Sequence, residues 1–318
     1  MVIKLIRLGY VALPLTIGIT SSSTLTVTNY KKLGMRAIKR IDDIINNNLD
    51  NLYEILKYNE KNNIHFYRLT SKLIPLATFV NFDYLKKFKN KYKKISKFIE
   101  KNNMRVDLHP DQFIVLNSDR DSVVSSSIES LKYHANILRI LNIKNPIIIL
   151  HLGSSIGGKK KSIERFKENF YKLDENIRKM ISLENDDKTY NIRNILKVCK
   201  ELDIPFTFDY HHYKCNNNGE KLERYIDEIF YTWTKRGMKP KIHFSSPKSK
   251  QKKEFRAHND YIDSREFIKF IEKIKNINCD FDIMIEAKKK DEAMFKLIRE
   301  LKYYTDYKFI DETTFYTK

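Results

Sequence analysis

The chain has 318 residues, 42% hydrophobic and 31% charged, and its 60 Lys+Arg against 40 Asp+Glu give a formal net charge of +20. No apolar run of about eighteen residues and no signal-like leader occurs, which argues against a membrane span or secretion. The three cysteines, Cys199, Cys215 and Cys279, form no CxxC pair, which argues against a disulfide framework or a thiolate zinc site and predicts a reducing, cytoplasmic setting.

The length suits two ordinary domains or one α/β barrel, and no Pro/Gly/Ser-rich linker divides it, so one domain over 1–318 is expected. The excess of lysine and arginine suits a polyanionic partner, because cations that neutralise phosphates release condensed counterions. A Lys-, Asn- and Ile-rich bias accounts for part of that charge.

In chain order, short apolar runs occur at 3–10, 64–68, 105–109, 146–151, 180–184, 205–209, 241–244 and 281–286. Each is followed by a segment of helical periodicity. In the helix predicted over 35–60, Ile38, Ile41, Ile45, Leu49, Leu52 and Leu56 recur three or four apart, and another helix is predicted over 122–141. Strands alternating with helices imply a parallel sheet, and eight such units predict an α/β fold, a single (β/α)8 TIM barrel.

The ends of those strands carry Tyr10, Arg68, His109, His151, Glu184, Asp209, His243 and Glu286. In a TIM barrel the C-terminal strand ends converge on one rim, where active sites are built. Three histidines and three carboxylates without sulfur suit Zn²⁺, Mn²⁺ or Fe²⁺. His212 in "FDYHHY" and His258 in "FRAHNDYI" extend the set to eight, enough for two or three divalent ions. Such clusters serve in-line phosphoryl displacement. His65, His134 and His211 fall outside this strand-end pattern.

"HLGSSIGGKKKS" (151–162) matches GxxxxGK after a strand, but Lys160 stands where a phosphate loop needs Ser or Thr for magnesium. With His151 as a ligand, Gly157, Gly158, Lys159, Lys160 and Lys161 read instead as a flexible basic loop along a nucleic-acid backbone.

Taken together, "RLGY", "FYRLTSKLIPLA", "LHPDQFIVLNS", "HLGSSIGGK", "LENDD", "FDYHHY", "KIHFSSPK", "AHNDYI" and "DIMIEAKKKD" resemble, in order, the motifs of the UV damage endonucleases. The resemblance implies a metal-dependent TIM barrel that nicks duplex DNA immediately 5′ to UV photoproducts, leaving a 3′ hydroxyl and a 5′ phosphate. It implies metal ligation by His109, His151, Glu184, Asp209, His212, His243, His258 and Glu286, with Mn²⁺ first among the candidate ions. Glu184 and Glu286 take catalytic roles, with Lys241 as a carboxylated lysine beside the metals. Gln112 and Phe113 would wedge into the helix, Tyr10 would stack near the flipped lesion, and Arg68 would join the DNA-contacting rim. Relatives often carry a ligand histidine where this chain has Phe79.

The expected partner is double-stranded DNA bearing UV lesions, met by a monomer that is nucleoid-associated when bound. The run at 86–97 has the spacing of a solvated helix face, whereas 245–258 leaves a ligand strand and is expected to touch DNA. A xylose-isomerase-like sugar isomerase or epimerase would share the fold and ligand types but would have little use for a basic rim or a Gln-aromatic wedge. A non-catalytic DNA-binding protein would not need a complete ligand set.

Overall fold

The computed structural model describes residues 4–80 and 83–317. Eight parallel strands run round a closed barrel: β1 (Leu5–Val11), β2 (Phe66–Leu69), β3 (Arg105–Leu108), β4 (Ile148–His151), β5 (Ile181–Glu184), β6 (Phe206–Asp209), β7 (Lys241–Phe244) and β8 (Phe281–Ile285). Each pairs with its successor, and β8 closes on β1 from Ile6↔Phe281 to Tyr10↔Ile285. This is the expected (β/α)8 barrel, with strand ends differing from the sequence reading by a residue or two.

The helix expected over 35–60 spans Ala37–Lys61 and buries Ile41, Ile45, Leu49, Leu52 and Leu56 against the barrel. Ile38 is 41% exposed, contrary to the apolar face assigned to it. The reason is periodicity: one turn back from Ile41 is Ala37, and Ala37 is the residue that packs. The helix expected over 122–141 spans Asp121–Ile140.

A short hairpin that sequence periodicity did not reveal completes the sheet. Its strands β9 (Lys308–Phe309) and β10 (Thr314–Tyr316) are antiparallel, and β10 pairs with the start of β1 from Leu5↔Tyr316 to Arg7↔Thr314. β2 meets β1 only from Gly9 onward, so β10 supplies partners for the backbone groups of β1 below it.

Alternation along β1 turns Ile6, Leu8 and Tyr10 toward the helices and Arg7 and Gly9 into the barrel. A Cβ on Gly9 would lie 2.3 Å from the Phe66 carbonyl oxygen, so the contact with β2 requires glycine here.

The interior departs from the branched apolar layers usual in such barrels. At its lower end, Arg7 Nε and Nη2 each donate to Asp282 at 2.7 Å, and Arg105 Nη1 donates to the same carboxylate at 2.7 Å. Above them Lys241 Nζ donates to Asp107, both side chains buried, while Ser182 bonds to Thr207. Trp233 with Ile147 and Ile149 forms a separate buried apolar cluster, and the indole donates to the Phe206 carbonyl at 2.6 Å. Charge pairs therefore line the path up to the rim.

Candidate metal centre

Period-two alternation explains how the site is assembled. Residues two apart on a strand share a face, so Asp107 and His109, Ser182 and Glu184, Thr207 and Asp209, and Lys241 and His243 enter the barrel as pairs. The upper member of each pair belongs to the rim.

Glu184, fully buried, is the common member of three groups whose ligand atoms lie within 4.8 Å of one another: His109, His151 and Glu184; Glu184, Asp209 and His212; Glu184, His243 and Glu286. His109 Nε2 stands 2.9 Å from Glu184 Oε2 and His151 Nε2 3.7 Å from the same oxygen. His243 Nδ1 is 2.8 Å from Glu184 Oε1 and 3.2 Å from Glu286 Oε1. Burial opposes the charge on Glu184, but His243 and His151, with hydrogen bonds from His109 and His212, hold its carboxyl well below the usual range. Burial pushes His243 down to about 4, with Glu184 opposing and the Arg68 guanidinium assisting. His243 is therefore neutral, donating through Nδ1 and accepting at Nε2 from Arg68.

Three features fit these residues to divalent cations. His109, His212 and His258 each place Nδ1 on a backbone carbonyl, of Pro110 at 3.1 Å, Asn185 at 2.9 Å and Glu286 at 2.8 Å. With Nδ1 donating there, Nε2 is the atom each ring would present to a cation, in His109 in place of the proton it shares with Glu184 Oε2. Second, Asp209 Oδ2 and His151 Nδ1 are buried without a partner among the described residues. Third, burial raises the Asp209 carboxyl to about 7 despite the opposing charge of His212, the signature of an anion lacking a sufficient counter-charge.

Two expected rim residues are placed differently. Tyr10 is fully buried, points outward from β1, donates to Asn59 Oδ1 at 2.7 Å and packs on Tyr67, so it does not offer its ring to a lesion. The odd positions of β1 face inward, and an even position cannot. Arg68 does face inward, but its guanidinium is engaged by Glu286 at 2.5 Å, by His243 and, at 3.7 Å, by Asp107. It belongs to the floor of the candidate metal centre rather than to a free DNA-contacting rim, because three acceptors already surround it.

The pattern described as UV-endonuclease UvdE matches residues 6–315. The chain belongs to the UV-endonuclease UvdE family. It is 43% identical over 303 residues to a UV DNA damage endonuclease of Bacillus cereus (strain 03BB102), covering 93% of this chain and 95% of that protein. The crystal structure of SacUVDE superposes with a TM-score of 0.84 at 34% identity, covering 94% of this chain and 98% of that one. Endonuclease IV from Thermus thermophilus, at 11% identity, TM-score 0.53 and 87% and 91% coverage, shares the fold. UvdE membership makes this chain a hydrolase with DNA as its substrate. No helix among the described residues is long and apolar enough to cross a membrane.

Other positions singled out by UvdE resemblance are also placed. Phe113 is 78% exposed, and Gln112 lines two clefts. One, of about 520 Å³, holds His109, His151, His212 and His258; the other, of about 540 Å³, reaches Val11, Arg68 and Phe113. His109, Pro110, Asp111 and Gln112 line both clefts, whereas Phe113 lines only the second. Phe79 is half-exposed, edge-on to Tyr30, and outside the three ligand groups.

The loop after β4 is held by hydrogen bonds at Ser154 and Ile156, and the three lysines expected in it lie instead in the helix that follows. Ser154 N donates to Asn117 Oδ1 at 2.8 Å, Tyr190 donates to the Ser154 carbonyl at 2.7 Å, and Arg165 ties down the Ile156 carbonyl at 2.6 Å. Gly153, at φ +100°, permits the turn, and a Cβ there would lie 2.7 Å from Asn117 Oδ1. Gly157 and Gly158 also have positive φ, and Lys159, Lys160 and Lys161 are exposed in the first turn of the helix Lys159–Tyr171. Three cations at a helix N-terminus oppose the macrodipole, and an anion there relieves both.

Of the histidines set aside, His65 pairs with Asp311 at 2.9 Å and His134 is buried against the Ser130 carbonyl. His211 is buried edge-on to His258.

Asp107 and Asn185 escaped the sequence reading. Asn185 exchanges hydrogen bonds with the Asp209 backbone at 2.9 and 3.0 Å while its carbonyl orients His212, so it fixes two candidate ligands at once. Its position directly after Glu184 and the place of Asp107 two residues before His109 were the available signals.

Proposed function

We propose that this chain nicks duplex DNA immediately 5′ to cyclobutane pyrimidine dimers and 6-4 photoproducts, leaving a 3′ hydroxyl and a 5′ phosphate. A cluster of two or three divalent ions, Mn²⁺ first with Zn²⁺ or Fe²⁺ sharing the ligand types, is held by His109, His151, Glu184, Asp209, His212, His243, His258 and Glu286. The observation that carries this reading is the sharing of Glu184 by three ligand groups within one rim. When bound, the ions supply Lewis-acid stabilisation and water activation for phosphodiester hydrolysis.

The chain's own residues do the rest. Glu184 and Glu286 hold negative charge at the centre, and Arg68, fixed on Glu286, opposes the charge that develops on a phosphate above it. Lys241 is buried, and burial lowers its amine to about 7, with Asp107 opposing and Arg68 assisting. A neutral amine can add to carbon dioxide, forming a C–N bond and releasing one proton, so Lys241 is the proposed carboxylated lysine. A photoproduct weakens pairing and stacking and so lowers the cost of extrusion. Phe113 fills the vacated stack, with Gln112 beside it, and Lys159–Lys161 receive backbone phosphates without reading sequence.

Labelled duplexes carrying a thymine dimer, an abasic site or no damage test the reading, each after chelation and after Mn²⁺ is restored. The account expects cleavage of the dimer duplex far above the undamaged one, with Mn²⁺ required. Cleavage confined to the abasic duplex would overturn the lesion assignment.

A further inference from the structure

Resting on the endonuclease reading, we infer that the groove between the β7 loop and the helix Ser264–Lys273 is a backbone track that grips the duplex to one side of the lesion, through Lys250, Arg265, Lys269 and Lys273. The groove has a volume of about 690 Å³ and is walled by Tyr210, Lys214, Pro247, Lys248 and Phe255 as well as by these four cations.

Its acids are already engaged. Glu266 is bound by Lys214, Asp263 Oδ1 accepts the Glu266 amide at 3.1 Å as helix cap, and neighbouring Glu254 is bound by Lys248. Lys250, Arg265, Lys269 and Lys273 are exposed and make no ion pair or side-chain hydrogen bond among the described residues. Some lysines elsewhere are paired, as in Lys167 with Glu201, Lys235 with Asp203 and Lys302 with Glu312, and what sets these four cations apart is that they line one groove. Unpaired cations along an open groove attract a polyanion, and phosphate contacts of this kind give position without base selectivity.

The groove is also coupled rigidly to the metal centre. Pro247 and His258 form an antiparallel bridge, Lys248 N donates to the Ala257 carbonyl at 2.7 Å, and Asn259 N donates to the Ser246 carbonyl at 2.8 Å. One wall of the groove and a candidate ligand therefore share one braced hairpin. Because the hairpin that walls the groove also carries His258, the occupant we infer is the flank of the same DNA rather than a separate molecule.

The test is a Lys250→Gln/Arg265→Gln/Lys269→Gln/Lys273→Gln protein, assayed for nicking and for dimer-duplex binding across a salt series. A control carries Lys61→Gln/Lys101→Gln/Lys144→Gln/Lys308→Gln, a matched charge change in exposed lysines, without ion pairs among the described residues, of the segments around the opposite mouth. The track variant should raise KM about tenfold or more with kcat within about twofold. Its log Kd against log salt slope should fall by roughly 0.9 per lost phosphate contact. Parent enzyme given a duplex shortened on one side of the dimer should reproduce that KM, and shortening the other side should not. Equal KM and slope in variant and control, or insensitivity to shortening on both sides, overturns the track while leaving the nuclease intact. Absence of nicking by the parent protein would instead remove the endonuclease reading itself.

Discussion

His243 Nδ1 lies 2.8 Å from Glu184 Oε1, and neither side chain is exposed to solvent. The contact joins β7 to β5 across the rim and makes Glu184 the hub through which all three candidate ligand groups communicate. Glu184→Gln keeps the volume and one acceptor but removes the charge. Metal affinity should fall by at least the ~10–100-fold typical of lesser changes around a metal, and nicking should fall with it. Equilibrium dialysis with Mn²⁺ reads the first effect; unchanged Mn²⁺ stoichiometry and affinity would contradict the hub role.

Below that hub, Asp107 is the buried counter-charge of Lys241, and it also faces Arg68. Removing one partner of a buried pair leaves the other unpaired, at a cost of about 3–5 kcal/mol. In chelated protein below pH about 7, where Lys241 is protonated and not carboxylated, Asp107→Ala should therefore be destabilised by that amount in urea unfolding, and Asp107→Leu/Lys241→Met should recover most of it. A loss below about 1 kcal/mol in the single variant would show that the pair is solvated in solution.

The same lysine gives a pH dependence. Burial lowers its folded-state value to about 7 from the ordinary 10.5. Between those values the unfolded chain holds a proton that the folded chain has released, so unfolding takes up protons and stability rises with pH. In chelated protein, the parent should gain stability relative to Lys241→Met from pH about 7 to about 10. Parallel profiles of urea midpoint against pH would contradict a depressed Lys241.

The barrel was legible because its strands are short apolar runs ending in ligand-type residues, a contrast that needs no tertiary information. What was hidden follows from the same alternation applied one step further down. Asp107 and Lys241 lie two residues before His109 and His243 and share their inward face, while Arg7 and Arg105, from two other strands, share the one carboxylate of Asp282. Charges that find their partners on other strands leave no local pattern. Tyr10 was misplaced by its position near a strand end, where parity rather than position decides which way a side chain points. The hairpin β9–β10 is too short to show a period, and its need arises only from the unpaired lower half of β1.

Phe113, exposed at the edge of one cleft, is the side chain proposed to replace extruded bases. Stacking of this kind contributes about 1–3 kcal/mol per base. Phe113→Ala should weaken binding to dimer duplex by about 10–100-fold and bring it toward the affinity for undamaged duplex. The ratio of the two dissociation constants decides the matter, and an unchanged ratio would leave Phe113 without a role in lesion recognition.

Mapping the cut at nucleotide resolution on an end-labelled duplex with a single thymine dimer, after exhaustive chelation and after Mn²⁺ is restored, tests the central claim most directly. The account predicts no product in the chelated sample and, with Mn²⁺, one nick immediately 5′ to the dimer bearing a 3′ hydroxyl. Undiminished cutting in chelator, or a metal-restored cut elsewhere than beside the dimer, would contradict it.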